Sequence, residues 1–465
     1  MTAPNIVPKN VPKNVSKNAS KNASKTAIVF YYRKTGKYAM NVLAGALDSR
    51  EQTNKIPLHF PKKHQDLIDT CKTLQSQTDK ILVLWSFYSP DFNKIRRELQ
   101  GITKYLDSDA ILHIAGGVHA TAEPLHTLKA GFDYVAVGEG EQIITDMATA
   151  LIHDAPLDNV KGLAHLEKGV LIKNGKGDYI DLNDYPACAP KYRKFGPIEI
   201  TRGCVYGCKF CQTPFVNKAK FRHRNVENII TAVSAMKANG MRDYRFISPT
   251  SLSYGSYDEN VNLPAIEALL SAIRKTVGKQ GRIFFGSFPS EVRPEHVNQE
   301  TLKLLKRYID NDNLIIGGQS GSDHVLQTSR RGHDVHSIVN AVELSVKEGF
   351  IPNVDFLFGL PGETEEDVKA TMQLADKLTT MGAKIHNHTF MPLPGTPLEE
   401  APPGRVDPML HSLLDRLASQ GHQIGQWRKQ EELARRAVAQ RARTGRSESK
   451  ENGPGSGQMP DPGPQ

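Results

Sequence analysis

A chain of 465 residues with 39% hydrophobic and 23% charged residues has room for two or three globular domains and fits a soluble fold rather than a disordered one. No run approaches 18 apolar residues and no apolar h-region follows the N-terminus, so a transmembrane helix and secretion are both disfavoured and a cytoplasmic, membrane-free protein is expected. Five cysteines exclude a disulfide scaffold.

The net charge of +9 sits in the tails. Residues 1–26 carry five Lys and no acid, and residues 428–465 carry eight basic residues against five acids, so the middle is almost neutral. Bulk charge is therefore no evidence for a nucleic-acid groove, and a nucleic-acid partner is not expected.

The repeat VPKN-VPKN-VSKN-ASKN-ASK over residues 1–25 has no apolar periodicity and reads as a disordered tail. Strands are expected at Ala27–Tyr32, Ile56–Phe60, Lys80–Trp85, Ile111–Ala115 and Tyr134–Val137. The second is the weakest, because Pro57 and His59 interrupt it. Amphipathic helices fit Tyr38–Leu47, Lys63–Leu74, Phe92–Leu106, Pro124–Ala130 and Gln142–Leu151. Five β-α pairs over 26–152 predict a doubly wound, Rossmann-like parallel sheet. Its carboxyl strand ends carry Ser86, then Gly116-Gly117, then Gly138-Glu139-Gly140-Glu141.

Residues 153–195 read as a linker of short hairpins, broken at Asn174-Gly175 and Asn183–Pro186. From 196 to 400 the alternation resumes. Strands fit Ile198–Thr201, Tyr244–Ile247, Ile283–Gly286, Leu314–Gly317, Asn353–Phe358 and Ile385–Phe390, and helices fit Val226–Ala238, Ala265–Val277, Gln299–Ile309, Val335–Glu348 and Glu365–Leu378. Six strands with five intervening helices predict a partial (β/α)6 barrel. A C-terminal helical segment over 401–443, centred on one long helix at Pro408–Ala442, and a disordered tail over 444–465 complete the α/β chain.

Cys204, Cys208 and Cys211 follow the first barrel strand in Thr-Arg-Gly-Cys-Val-Tyr-Gly-Cys-Lys-Phe-Cys, spaced C-x-x-x-C-x-x-C. Three thiolates on one loop suit three irons of a cubane cluster, leaving the fourth iron open. The same spacing suits zinc if Cys188 or a His completes the set.

This loop resembles that of the radical S-adenosylmethionine superfamily, and the resemblance runs on through later segments. They are Gln319-Ser320-Gly321-Ser322-Asp323 with Arg331-Gly332, then Phe358–Thr364, then Met391–Pro397. It implies an enzyme whose [4Fe-4S] cluster, held by Cys204, Cys208 and Cys211, chelates S-adenosylmethionine and cleaves it reductively to a 5′-deoxyadenosyl radical. It further implies an external one-electron reductant of flavodoxin or ferredoxin type, since no second cluster is visible. Phe210 matches the aromatic near the adenine. Gln319, Ser320, Arg331, Gly359, Pro361 and Pro392 fall at cofactor-binding positions.

The family's Gly-Gly-Glu after the second strand is replaced by Ile247-Ser248-Pro249-Thr250-Ser251. Ser248 and backbone carbonyls are the substitutes expected to accept from the ammonium group. Glu291 lies just past the third strand, where it either hydrogen-bonds the ribose, pairs with Arg293, or is a solvated loop charge. His386 and His388 share one strand face, open to substrate contact or to a structural role.

The first domain resembles the cobalamin-binding domains of this superfamily at Gly116–Ala120, Gly131–Tyr134 and Gly138–Glu141. The resemblance implies cobalamin contacts at Ser86, Gly116 and Gly117. Tyr32–Lys37 lacks the Asp-x-His that ligates cobalt from below, so a His-off mode is expected, shielded by Phe87 or Tyr88. The alternative is a degenerate domain that binds nothing. His119 either meets a corrin edge or is solvated. The expected reaction is cobalamin-associated methyl transfer or rearrangement, and the resemblance fixes no substrate. Methylthiotransferases share the Q-S-G-S type segment but hold an auxiliary cluster with three N-terminal cysteines, whereas only Cys71 and Cys188 stand outside the triad here. A non-catalytic iron–sulfur or zinc protein is the remaining alternative, disfavoured by the segments for S-adenosylmethionine.

Overall fold

The computed structural model describes residues 26–106 and 109–443; the segments read from sequence as disordered tails, 1–25 and 444–465, lie outside the described residues. The fold is mixed α/β with parallel sheets. It comprises two compact units, each assembled from separated stretches of chain. Among the described residues, one takes those from 26 to 202 plus Arg222–Ile247 and Ala268–Ile283, and the other takes Gly203–Phe221, Ser248–Glu267 and 284–443.

In the first unit, β1 (Thr26–Phe30), β2 (Leu58–His59), β3 (Lys80–Ser86), β4 (Ile111–Gly116), β5 (Tyr134–Ala136), β6 (Leu163–Glu167) and β7 (Val170–Lys173) form one sheet in the order β2-β1-β3-β4-β5-β6-β7. β1 to β5 run parallel. Parallel strands covered on both faces need unbroken apolar runs, and β1 and β3 supply them as TAIVF and KILVLWS. Helices Lys37–Asp48 and Gly140–Ile152 pack on one face, and helices His64–Gln75 and Phe92–Thr103 on the other. The strand order reverses between β1 and β3, where doubly wound sheets take their ligands. β2 keeps only two residues, because Pro57 brings no amide donor to a ladder.

The stretch expected as a linker contributes to this sheet. β6 adds antiparallel to β5, and β7 returns beside it. Lys168 and Gly169, both at positive φ (49° and 82°), make the two-residue turn that matches strand twist.

β8 (Ile198–Glu199), β9 (Thr201–Arg202), β10 (Arg222–His223), β11 (Asp243–Ile247) and β12 (Arg282–Phe284) follow. β11 lies between β12 and β8 and runs parallel to β8, while β9 and β10 pair antiparallel. In the second unit, β13 (Asn313–Gln319), β14 (Ile351–Phe358), β15 (Lys384–Thr389) and β16 (Gln423–Gly425) form a parallel sheet in chain order. Along β14 and β15 burial alternates with period two. Val354, Phe356, Phe358, Ile385 and Asn387 are buried, while Asp355, Leu357, His386 and His388 are half-buried on the opposite face.

The single long C-terminal helix is not formed. Helices Pro408–Ser419 and Trp427–Arg443 are separated by a turn and by β16. Gly421 at φ 73° ends the first helix. Gly425, at φ 109°, lies so close to β15 that a Cβ would come within 2.4 Å of the Asn387 carbonyl oxygen. Among the described residues, no helix is long and apolar enough to cross a membrane.

Candidate functional site

The cysteine loop starts from a residue under heavy constraint. Arg202 ends β9 with Nη2 2.6 Å from both Glu141 and Glu199, and Nη1 3.5 Å from Glu139. Arg222, on β10, also pairs with Glu139. Burial opposes ionisation of Glu141, but Arg202 outweighs it and holds the carboxyl below its usual range. The Gly138–Glu141 segment is thus spent on a buried ion-pair network. Sequence reading missed that role, because 61 residues separate Glu141 from Arg202.

Gly203 then turns the chain at φ 80°. A Cβ there would meet the Lys220 carbonyl oxygen at 2.1 Å, so only glycine fits. Cys204 N–H donates to Lys218 O at 3.3 Å, and Cys211 N–H to Cys208 O at 3.1 Å. Cys208 is buried with Tyr206 and Phe221, and Cys204, Phe210 and Cys211 pack against them. Burial pushes the Cys204 thiol up to about 12 and raises that of Cys211. Thiols bind metal as thiolates, so binding here releases their protons.

Cys204, Cys208 and Cys211 bring three thiol donors together on one loop, and three thiolates suit three irons of a cubane cluster.

Arg331 closes this pocket from the other side. Its Nη1 lies 3.5 Å from Cys208 Sγ, and its Nη2 donates to Gly317 O at 2.7 Å and lies 3.5 Å from Glu291 Oε1. Burial works against its charge, but Cys208 and Glu291 outweigh burial and raise the guanidinium above its usual range. Gly317 cannot carry a side chain, since a Cβ would sit 2.5 Å from Arg331 Nη2 and 2.8 Å from Glu291 Oε1.

Glu291 pairs with Arg331 and not with Arg293. Arg293 binds Glu295 and the Arg331 carbonyl oxygen, and its guanidinium lies over the Tyr206 ring at 3.6 Å. Nor is Glu291 a solvated loop charge: burial pushes its carboxyl up to about 7.

The remaining sequence-selected positions divide. Phe210 packs on the cluster of Val325, Leu360 and Phe390, and Gln212 donates to Pro394 O at 2.8 Å, so the 359–361 and 391–397 segments do meet the cysteine loop. Pro361 is half-buried and Pro392 buried. Gly359, at φ 75°, is closed over by Arg405, whose backbone N and O would lie 2.6 Å from a Cβ. Gln319 stands at φ 75° at the irregularity of β13 against β14, a strained position for a non-glycine residue. Ser320 is turned toward Thr371, with 3.4 Å between the hydroxyls. Ser248 donates its hydroxyl to Thr250 O at 2.7 Å and leaves its lone pairs to accept. Thr250 Oγ1 and Ser253 Oγ are buried with no partner. Thr250 lies in the segment that replaces Gly-Gly-Glu and was not selected from sequence.

In the first unit, Ser86 stands beside Gly116 in register, and Gly117 brings its backbone so close that a Cβ would be 3.1 Å from Ser86 Oγ. Gly36 approaches from β1, with 2.4 Å from a Cβ to Ser86 O, so Ser86, Gly116 and Gly117 converge at the reversal point of the sheet. Phe87 is buried in the core, whereas Tyr88 is 51% exposed. His119 is neither solvated nor at an open edge: it is buried, 3.0 Å from Ser89 Oγ and packed on Phe92. Cys71 is buried in the apolar cluster on one face of the sheet, and Cys188 O packs on Gly45 of the helix covering the other. Those two thiols cannot join one cluster.

The profile of the radical SAM superfamily matches residues 198–375. A protein of Methanocaldococcus jannaschii named as a methylthiotransferase is 28% identical over 311 residues, 64% of this chain and 65% of its own length. The tRNA-2-methylthio-N(6)-dimethylallyladenosine synthase of Halorhodospira halophila is 24% identical over 309 residues, 62% of this chain and 63% of its own. The chain thus spans a little under two thirds of these relatives. Among solved structures, the radical S-adenosylmethionine methyltransferase TsrM from Kitasatospora setae, with cobalamin and a [4Fe-4S] cluster bound, matches with a TM-score of 0.64 at 16% identity, over 83% of this chain and 76% of that one. The cobalamin-dependent S-adenosylmethionine radical enzyme OxsB, with aqua-cobalamin bound, matches with a TM-score of 0.62 at 17% identity, over 77% of this chain and 52% of that one. At these identities the likeness is one of fold, with Rossmann-like and TIM-barrel-like parts. Residues 198–375, which include the cysteine loop and Phe210, thus match the radical SAM superfamily, whose members work with a [4Fe-4S] cluster and S-adenosylmethionine.

Proposed function

We propose that this enzyme works with cobalamin as well, transferring a methyl group to, or rearranging, a substrate that enters the 196–400 segment, with residues 26–152 serving as the cobalamin module. The observation that carries the reading is the convergence of Gly36, Ser86, Gly116 and Gly117 at the reversal point of a sheet whose fold matches two cobalamin-bound enzymes. Tyr32–Lys37 carries no imidazole, His119 is committed to the core, and Tyr88 is the exposed ring available to shield a cobalt face.

Cys204, Cys208 and Cys211 are proposed to hold the cluster, with Arg331 offsetting thiolate charge at Cys208. When bound, the cluster and S-adenosylmethionine supply reductive cleavage of the sulfonium to a 5′-deoxyadenosyl radical. The protein packs Phe210 to form an apolar wall and offers Ser248 and Thr250 as acceptors for an ammonium group. Glu291, half-buried against Arg331, stands ready to hydrogen-bond hydroxyls. The electron is proposed to come from a flavodoxin- or ferredoxin-type donor. The names of the sequence relatives raise sulfur insertion as a second reading. The placement of Cys71 and Cys188 on opposite faces of the first sheet speaks against it, because no auxiliary cluster can form there.

The test is anaerobic reconstitution with iron, sulfide and hydroxocobalamin, followed by desalting and an optical spectrum. Cluster absorption with one corrin per chain is expected, and Cys208→Ala should lose the cluster and the formation of 5′-deoxyadenosine. Cluster absorption without corrin would remove cobalamin from the reading. Unchanged 5′-deoxyadenosine from Cys208→Ala would overturn the assignment of the ligands.

A further inference from the structure

β14 and β15 carry Asp355, His386 and His388 on the same face as Leu357, which packs on the Val325, Leu360 and Phe390 cluster that Phe210 of the cysteine loop also joins. The charge of Asp355 is felt at Glu291. The three polar side chains therefore look into the space that the cysteine loop borders. His386 Nδ1 lies 2.7 Å from Asp355 Oδ1, and His388 Nε2 lies 3.3 Å from His386 Nδ1 and 3.9 Å from Asp355 Oδ1.

A metal ion is the first occupant to weigh. The circle through those three atoms has a radius of about 2.0 Å, close to a zinc–imidazole bond of about 2.0–2.1 Å. The proton count decides against it. Thr389 N–H donates to Gln430 Oε1 at 2.9 Å, which fixes the orientation of that amide. Gln430 Nε2 must then be the donor in its 3.2 Å contact with His388 Nδ1. An accepting Nδ1 places the proton of a neutral His388 on Nε2, and a protonated nitrogen cannot ligate a metal. A ligating histidine also donates from its second nitrogen, the reverse of what Gln430 imposes. His388 Nε2–H then only faces the Asp355–His386 pair, since His386 Nδ1 carries its own proton and Asp355 Oδ1 is 3.9 Å away. The carboxylate accepts from His386 Nδ1–H, which leaves the lone pair of His386 on Nε2, with no partner among the described residues.

We propose that Asp355 and His386 form a proton-accepting dyad that presents His386 Nε2 to a substrate bearing an N–H or O–H group. This rests on the radical SAM reading only in taking the cysteine-loop side as the substrate side. In the step, the substrate X–H bond gives its proton to His386 Nε2 and keeps the electron pair on X. The imidazolium is balanced by Asp355, and the proton leaves to water when product departs.

The test is diethyl pyrocarbonate labelling of the reconstituted holoenzyme at pH 7, read by peptide mass spectrometry, with exposed His153 as internal reference. His386 should be labelled, and Asp355→Asn should slow it roughly fivefold or more while leaving His153 unchanged. The amide can donate to Nδ1 and so moves the ring proton to Nε2. No labelling of His386, or equal rates in both proteins, would overturn the dyad. Elemental analysis gives the second readout. One divalent metal per chain beyond the cluster iron, lost in His388→Gln, would assign a metal site instead, and its absence supports the dyad. Neither readout needs S-adenosylmethionine or an electron, so a failed cleavage assay and a failed dyad are distinguishable.

Discussion

Arg202 is held by carboxylates from distant parts of the chain. Its guanidinium is compensated by Glu139, Glu141 and Glu199, and it immediately precedes the Gly203 turn into the cysteines. Removing one partner of a buried pair leaves an uncompensated charge, which costs about 3–5 kcal/mol. Glu141→Ala should lose about that much stability in urea unfolding, whereas the exposed Arg436–Glu432 pair should be near neutral when broken. The sign with pH follows from the lowered Glu141 carboxyl. Its contribution is complete above the ordinary carboxylate value of about 4.5 and is lost as pH falls through the lower folded value. Glu141→Gln should flatten that acid limb; an unchanged limb would place the dependence elsewhere.

At the scale of elements, helix Glu365–Thr380 is docked by its first turn. Thr364 caps it by accepting from Asp367 N–H, and Asp367 in turn accepts from Thr364 N–H, the Thr364 hydroxyl and Ser322. Burial would raise the Asp367 carboxyl, but the bonds from Ser322 and Thr364 prevail and hold it at about 2. Thr364→Ala should cost about 1 kcal/mol. Asp367→Asn should abolish the part of the stability loss that falls between about pH 4 and pH 2, measured by thermal melts.

The same scale shows what the sequence could disclose. Element type followed from periodicity, and the Phe358–Thr364 turn followed from its glycines and cap. The break at Gly421–Gly425 did not, because the residues on either side continue a helical pattern and the reason for the break, close approach to Asn387, lies on another strand. His119 read as a loop residue for a similar cause: its core position depends on Phe92, 27 residues away. The triad was visible because its spacing is local. The Arg202 network and the Asp355–His386 contact were not, because each joins distant parts of the chain.

On the scale of the whole molecule, each unit is interrupted by the other along the chain. A fragment ending at Arg202 would lack Arg224, whose Nη1 donates to the buried carbonyl oxygens of Leu182 and Tyr185, and Arg222, which pairs with Glu139. Such a fragment should show no cooperative unfolding transition by circular dichroism, despite holding the whole seven-stranded sheet. A sharp transition would mean that the sheet is self-sufficient. The interleaving also bears on inheritance. No single recombination breakpoint leaves the two units whole on opposite sides, so exchanging either one for another takes several crossovers within one gene.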